Sequence, residues 1–285
     1  MNTTTTTRTG ADGRGADGKG ASPGAPGATG PASTPASRLK ALARAEYTLL
    51  TRNRTALFAG LLVPVAMIGS IKVSLAQVDL GKAGLSSMEV AMVGSIGMVL
   101  VMAVYANLTS AYTARREDLV LKRLRTVEAT DLEILTGTAL PAVALAFVQS
   151  LVMITGGVVL LDVRAPQQPL LLTAGLLAGL ALLATLSAVT SAFTRTVESA
   201  QITSMPLFLV SVVGSGLFVP LEVFPDRVAA VCELLPMTGV MTLIRAGWLG
   251  GVESGDALRA GLTALVWIAL ALFAVRKWFR WGPRR

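Results

Sequence analysis

Residues Arg116–Arg125 read R-E-D-L-V-L-K-R-L-R, and the runs on either side, Val90–Tyr112 and Gly137–Leu161, contain no charged residue. Roughly 20 apolar residues carry a helix across a bilayer. A short basic segment held between two runs of that length decides the fold class. Working outward, the pattern recurs at Leu57–Ala76, Leu170–Phe193, Ile202–Leu221 and Ala257–Val275, so six spans are expected. The chain is 53% apolar and 15% charged, where soluble proteins carry about a quarter charged residues. The expectation is an all-α polytopic membrane protein. A seventh span over Val228–Leu249 is interrupted by Glu233, Pro236 and Arg245, and a charge at mid-bilayer costs about 2.5–3.5 kcal/mol.

The placement of Lys and Arg supports the even number. Sixteen of them fall in residues 38–54, in the loops after spans 2 and 4, and after span 6, against five in the alternate loops. Basic residues stay on the cytoplasmic side, so both termini are expected there, in a multi-pass protein of the cell membrane. Lys72, near the outer end of span 1, can snorkel. Trp278 and Trp281 suit an inner interfacial anchor. In span 4, Gly175 and Gly179 have the spacing that lets a second helix approach closely, although small residues are also common in membrane helices without that role.

Several chemistries are excluded. The chain has no histidine and one cysteine, Cys232. That rules out a histidine proton shuttle, a Ser–His triad, an intrachain disulfide and a cysteine–histidine zinc site. No carboxylate lies within the six spans, whereas proton-coupled transporters commonly place one there. An integral-membrane enzyme lacks any constellation of nucleophile and base. Residues 1–37 are rich in Thr, Gly, Ala, Pro and Ser; they bury too little to order and are expected to be disordered. Gly13–Lys19 begins like a phosphate loop, but Gly20 follows where Ser or Thr is needed.

Three segments outside the spans carry mechanism. In residues 38–54, Leu39, Leu42, Ala43, Leu49 and Leu50 share one helical face and Lys40, Arg44 and Arg52 the other. This is the pattern of an interfacial helix, and Glu46 interrupts its apolar face. The pattern fits a plain surface anchor and equally an elbow that touches a cytoplasmic partner. In the loop between spans 2 and 3, Glu117, Leu121 and Leu124 form a stripe at helical spacing. A loop that only fixes topology needs the charges but not the leucines, so this helix is expected to dock in a partner's groove. The third segment, Glu222–Gly251, is apolar but interrupted by Pro225, Pro236 and charges. Two short helices that dip into the outer leaflet and return would satisfy it, with the non-helical backbone buried in protein or facing water. It is expected to cap a cavity, and Cys232 within it to react with an impermeant thiol reagent from outside.

At these residues the chain resembles the permease subunits of ABC-2-type exporters, and especially the drug-resistance permeases of the daunorubicin/doxorubicin kind. The resemblance runs from about Arg38 to the C-terminus. It rests on the helix ending Arg52-Asn53 and on the loop Arg116-Glu117 through Leu121-Lys122-Arg123-Leu124-Arg125. It rests also on Ser215-Gly216, Phe218, Pro220, Glu222, Pro225, Pro236 and Arg245. Leu119 and Val120 depart from the family's usual Gly-Thr, and the proline common after the loop is missing from residues 126–130.

The resemblance implies a domain order of tail (1–37), elbow (38–54) and transmembrane domain (55–285). It implies two copies of a separate ABC ATPase, which binds the ATP and Mg, and a second permease, identical or similar. This chain would hold no cofactor, metal or catalytic residue and bind no nucleic acid. Arg116, Glu117, Leu121, Lys122, Arg123, Leu124 and Arg125 would couple to the ATPase, with Glu46 and Arg52 in the elbow. Pro220, Glu222, Pro225, Pro236 and Arg245 would form the external lid. The cargo would be a small amphipathic compound, a drug or natural product. Asn107, Gln149, Met98, Met102, Phe208 and Ser211 are candidates for its cavity, though each also suits ordinary helix or lipid packing. Export of a lipid or cell-surface glycan, and a membrane scaffold without transport, are the alternative functions.

Overall fold

The computed structural model describes residues 44, 48, 62–70, 73, 85–117, 131–217, 221 and 224–278. The tail, most of the elbow including Glu46 and Arg52, and the segment 118–130 lie outside the described residues. So do Pro220, Glu222 and Trp281. Of the elbow, Arg44 and Thr48 are helical and exposed, and the Thr48 hydroxyl donates to the Arg44 carbonyl at 2.7 Å. Of span 1, residues 62–70 are helical.

The described chain is helical throughout its regular elements. Helix α1 (Leu85–Leu100) passes through a π-helical segment (Val101–Ala106) into α2 (Asn107–Glu117). Then come α3 (Asp131–Leu160), α4 (Pro169–Phe193), α5 (Val197–Gly214), α6 (Asp226–Glu233), α7 (Pro236–Leu249) and α8 (Ser254–Trp278). Five helices among the described residues are long and apolar enough to cross a membrane: Met88–Glu117, Glu133–Leu160, Pro169–Phe193, Val197–Gly214 and Ser254–Trp278. Helices α6 and α7 are bent by 93° at their junction. The interruptions at Glu233 and Pro236 thus break what would otherwise read as a seventh span.

Local chemistry sets several boundaries. Pro169 and Pro236 open α4 and α7, where a missing N–H has no intrahelical use. Helix α5 starts earlier than the apolar run at Ile202, because Thr196 and Ser199 form a reciprocal capping box. It also stops at Gly214, short of Leu221, since Gly216 turns the backbone left-handed with φ 70°. Gly250, with φ 71°, ends α7 in the same way.

Helix α7 is the buried centre of the bundle. Met237, Val240, Met241, Ile244 and Trp248 are at most 1% exposed. It packs between α4 and α8, and three glycines let the backbones close. A Cβ on Gly175 would stand 2.9 Å from the Ile244 backbone nitrogen, one on Gly179 2.9 Å from Val240. One on Gly247 would run into the backbone of Leu172. The Gly175/Gly179 pair therefore serves close approach, and the helix that approaches is α7. In lipid, such contact rather than hydrophobic exclusion drives helix association.

These contacts also fix depth. Gly247 lies opposite Leu172, Ile244 opposite Gly175 and Val240 opposite Gly179, so α7 runs antiparallel to α4 along its first half. Trp267, at the middle of α8, donates from its indole to the Leu234 carbonyl at 2.8 Å. The α6–α7 bend is thus level with the middle of both long helices. Fourteen residues rise about 21 Å, less than the roughly 30 Å of hydrocarbon. Helix α7 reaches from mid-height to one end and no farther.

Gly247→Ala is expected to destabilise the fold by about 1–3 kcal/mol, because the added methyl meets backbone. Gly261→Ala, whose Cβ would meet nothing within 4 Å, should be neutral or gain up to about 1 kcal/mol of helix propensity. Thermal unfolding in detergent compares the two; equal behaviour would overturn the close-packing account.

Candidate functional site

The root of the segment 118–130 is built by three helix ends. Arg115 and Arg116 close α2, Asp131 opens α3, and Thr194 follows α4. Arg116 is 1% exposed. Its guanidinium donates to the Ser191 carbonyl and, at 2.7 Å, to the Thr194 carbonyl. These oxygens belong to the last turn of α4 and its cap, which lack intrahelical donors and carry the negative end of the helix dipole. Arg116 is therefore a C-terminal cap supplied by another helix. The neighbouring Arg115 donates to the Thr138 hydroxyl at 3.1 Å, and the Tyr112 hydroxyl to the Leu135 carbonyl at 3.0 Å. The end of α2 is pinned to α3 on one side and α4 on the other.

This geometry refines two expectations. Arg116 and Glu117 belong to the helix that contains span 2. Arg116 also faces into the bundle, because the orphan carbonyls of α4 compensate its burial; Glu117 is half-buried. Leu121, Lys122, Arg123, Leu124 and Arg125 lie outside the described residues.

About three turns above Arg116 the backbone carries the π-helical segment. Its widened turns leave the Tyr105 carbonyl next to α4, where the Ser187 hydroxyl donates to it at 3.2 Å. The Tyr105 hydroxyl lies 3.1 Å from the Thr190 hydroxyl and 3.5 Å from the Ser204 carbonyl on α5. Tyr105, Ser187, Thr190, Ser191, Thr194 and Arg116 thus form a polar seam along the α2–α4 contact. Such π segments are frequent at functional sites. No sequence motif announced the seam; only the rise in Ser and Thr over residues 185–196 could have pointed to it.

At the opposite end, Arg245 on α7 is half-buried and donates to the Gly216 carbonyl, tying α7 to the turn after α5. The Thr238 hydroxyl donates to the Cys232 carbonyl at 2.6 Å across the bend. Gly247 and Trp248 carbonyls accept from the backbone N–H of Gln168 and Gln167 at 2.9 and 3.2 Å. Pro225 caps α6 and is exposed, while Pro236 is buried at the bend. Cys232 is buried, 8% exposed, so the expected ready reaction with a thiol reagent is corrected: α6 turns that side chain toward Gly214.

A cavity of about 760 Å³ opens between α6, α7 and α8. None of the six residues expected to contact cargo lines it. Asn107 is exposed, and its amide donates to its own helix at Ala103, 3.2 Å away. Met102 is 39% exposed, Gln149 and Ser211 are buried, and Met98 and Phe208 pack against the core. No group of residues able to hold a metal ion occurs among the described residues.

The family model for ABC-2 type transporters matches residues 37–249. The chain belongs to this family: it is the multi-pass membrane component of an ABC transporter, a class that works with an ABC ATPase. No curated protein matches the chain.

Arg116→Met is expected to cost about 2–3 kcal/mol, since two carbonyls at the end of α4 lose a charged donor. Arg116→Lys should fall between that variant and the wild type, because an ammonium cannot span both oxygens as the guanidinium fork does. Thermal unfolding in detergent reads both; an unaltered Arg116→Met variant would remove the cap from the account.

Proposed function

We propose that this chain is the permease half of an exporter that moves a small amphipathic compound, a drug or natural product, out of the cell. The observation that supports it most is the buried Arg116 cap. It ties the helix leading into the charged, leucine-bearing segment 118–130 directly to α4. A push delivered to that segment is carried into two membrane helices instead of one. Two ABC ATPase subunits, holding ATP and Mg, supply the push, and a second permease completes the pore. Arg123 and Arg125 meet the ATPase as cations and Glu117 as an anion, through charge-assisted hydrogen bonds. The elbow, with Glu46 and Arg52, makes a second contact on the same side.

The excess of Lys and Arg at the α2–α3 end supports a cytoplasmic position for it and for both termini. Helix α7 is then a re-entrant half-helix of the outer leaflet, and Pro220 to Arg245 is the lid. Closure of the ATPase rotates the α2–α4 pair and opens the lid side, giving alternating access. Export of a toxic compound in this way would confer resistance on the cell.

A mild-detergent pull-down of the tagged chain, read by mass spectrometry, is expected to recover a stoichiometric ABC ATPase. Recovery of a different stable partner in its place would favour a scaffold. In the complex, Glu117→Arg should lower ATPase activity severalfold, on the scale of about 1–2 kcal/mol for one charged contact, with insertion intact; unchanged activity would sink the coupling role. For orientation, Glu253→Cys in a Cys232→Ser background places an exposed thiol beyond α7. An impermeant maleimide should label it in whole cells. Labelling only after permeabilisation would invert the topology.

A further inference from the structure

The cavity between α6, α7 and α8 joins fixed charges to an exposed apolar stripe. Glu233, Arg245, Asp256 and Arg259 line it, together with the hydroxyls of Thr238 and Thr263. Two cations and two carboxylates leave its formal charge at zero. Its volume of about 760 Å³ lies within the 300–1,000 Å³ typical of small-molecule sites.

The charges come from three helices: Glu233 from α6, Arg245 from α7, and Asp256 and Arg259 from α8. Arg259, in the outer part of α8, is 86% exposed and holds Asp256 only loosely, at 3.9 Å. Its guanidinium fork is open to an oxyanion such as a phosphate. Glu233 ends α6 beside the bend, level with the middle of α4 and α8, and is exposed. Among the described residues it has no ion pair. A carboxylate at that depth needs water or a cation. The cavity admits the first, and a ligand ammonium supplies the second.

Apolar surface begins at the same mouth. Leu262 lines the cavity and belongs to an exposed α8 stripe with Leu258, Leu265, Val266, Leu270 and Phe273, each more than half exposed. Polar cavity and apolar stripe together describe an amphiphile with a dipolar head.

We propose that this cavity holds the headgroup of a zwitterionic phospholipid, its phosphate at Arg259, its ammonium at Glu233 and its acyl chains along the α8 stripe. The lipid wedges between the half-helix and α8 and braces α7 from the membrane side. An anionic lipid without the amine leaves Glu233 unmatched and repels it. A free phosphoethanolamine has the same head chemistry but cannot use the stripe. The site does not depend on the transport reading; only the leaflet assigned to it, the outer one, rests on the orientation proposed above.

Native mass spectrometry of the detergent-purified full chain, with any ATPase that copurifies, tests this. The probes are phosphatidylethanolamine, phosphatidylglycerol and soluble phosphoethanolamine. Phosphatidylethanolamine should be retained preferentially and should raise the melting temperature. Glu233→Gln and Arg259→Gln, both at exposed positions, should each weaken retention about tenfold, the scale of one charge-assisted hydrogen bond. Lys277→Gln, at the far end of α8, should leave it unchanged. Equal retention of phosphatidylglycerol, or folded Glu233 and Arg259 variants that bind as well as the wild type, would overturn the assignment. Displacement of the lipid by phosphoethanolamine at equal concentration would overturn the lipid in favour of a free zwitterion. Because binding needs neither ATP nor substrate, these outcomes are independent of whether an ATPase partner is found.

Discussion

A carbonyl released from a helix inside a bilayer has no water to turn to, and each one left bare costs several kcal/mol. Four interruptions of the helices among the described residues are organised by that requirement. Where α4 ends, Arg116 supplies its guanidinium to the Ser191 and Thr194 carbonyls. Where the π segment widens, Ser187 donates to the Tyr105 carbonyl. Where α5 turns through Gly216, Arg245 takes the freed oxygen. At the α6–α7 bend, Thr238 and Trp267 serve Cys232 and Leu234. All five donors come from a different helix, so meeting the backbone's needs also ties the bundle together.

The same requirement divides the molecule into two working ends. At one, α2, α3 and α4 are held by Tyr112, Arg115 and Arg116 just before the chain enters the charged segment. At the other, α7 fills only half the height of the bundle and leaves a charged cavity beside α8. Between them α4 runs uninterrupted, carrying the polar seam on its lower half and the glycine contacts with α7 on its upper half. It joins the capped end to the half-helix without an intervening loop.

Much of the fold was legible in the chain. Uncharged runs of bilayer length marked spans 2 to 6, and a 93° bend falls between Glu233 and Pro236, where the chain was read as interrupted. Boundaries were less legible where local chemistry outweighed hydropathy. The capping box at Thr196 started α5 early, Gly216 stopped it before Leu221, and α2 absorbed Arg116 and Glu117. The candidate site was legible only in part. Arg245, expected in the lid region, bonds the turn after α5, while Asn107, Met98 and Phe208 do not line the cavity between α6, α7 and α8.

By itself, then, the sequence determined the number and length of the apolar runs, the sign of the charge between them and the positions at which helices must stop. These are properties of spacing along the chain, which hydropathy, proline and glycine express directly. Which face of each helix meets protein was decided only by the tertiary structure. It turned Arg116 inward because α4 ends opposite it, buried Cys232 against Gly214, and brought Glu233 and Arg259 to one cavity from helices separated in sequence. A charged side chain is tolerated inside a membrane protein only where a partner faces it, and the partner's position is set by packing between distant segments.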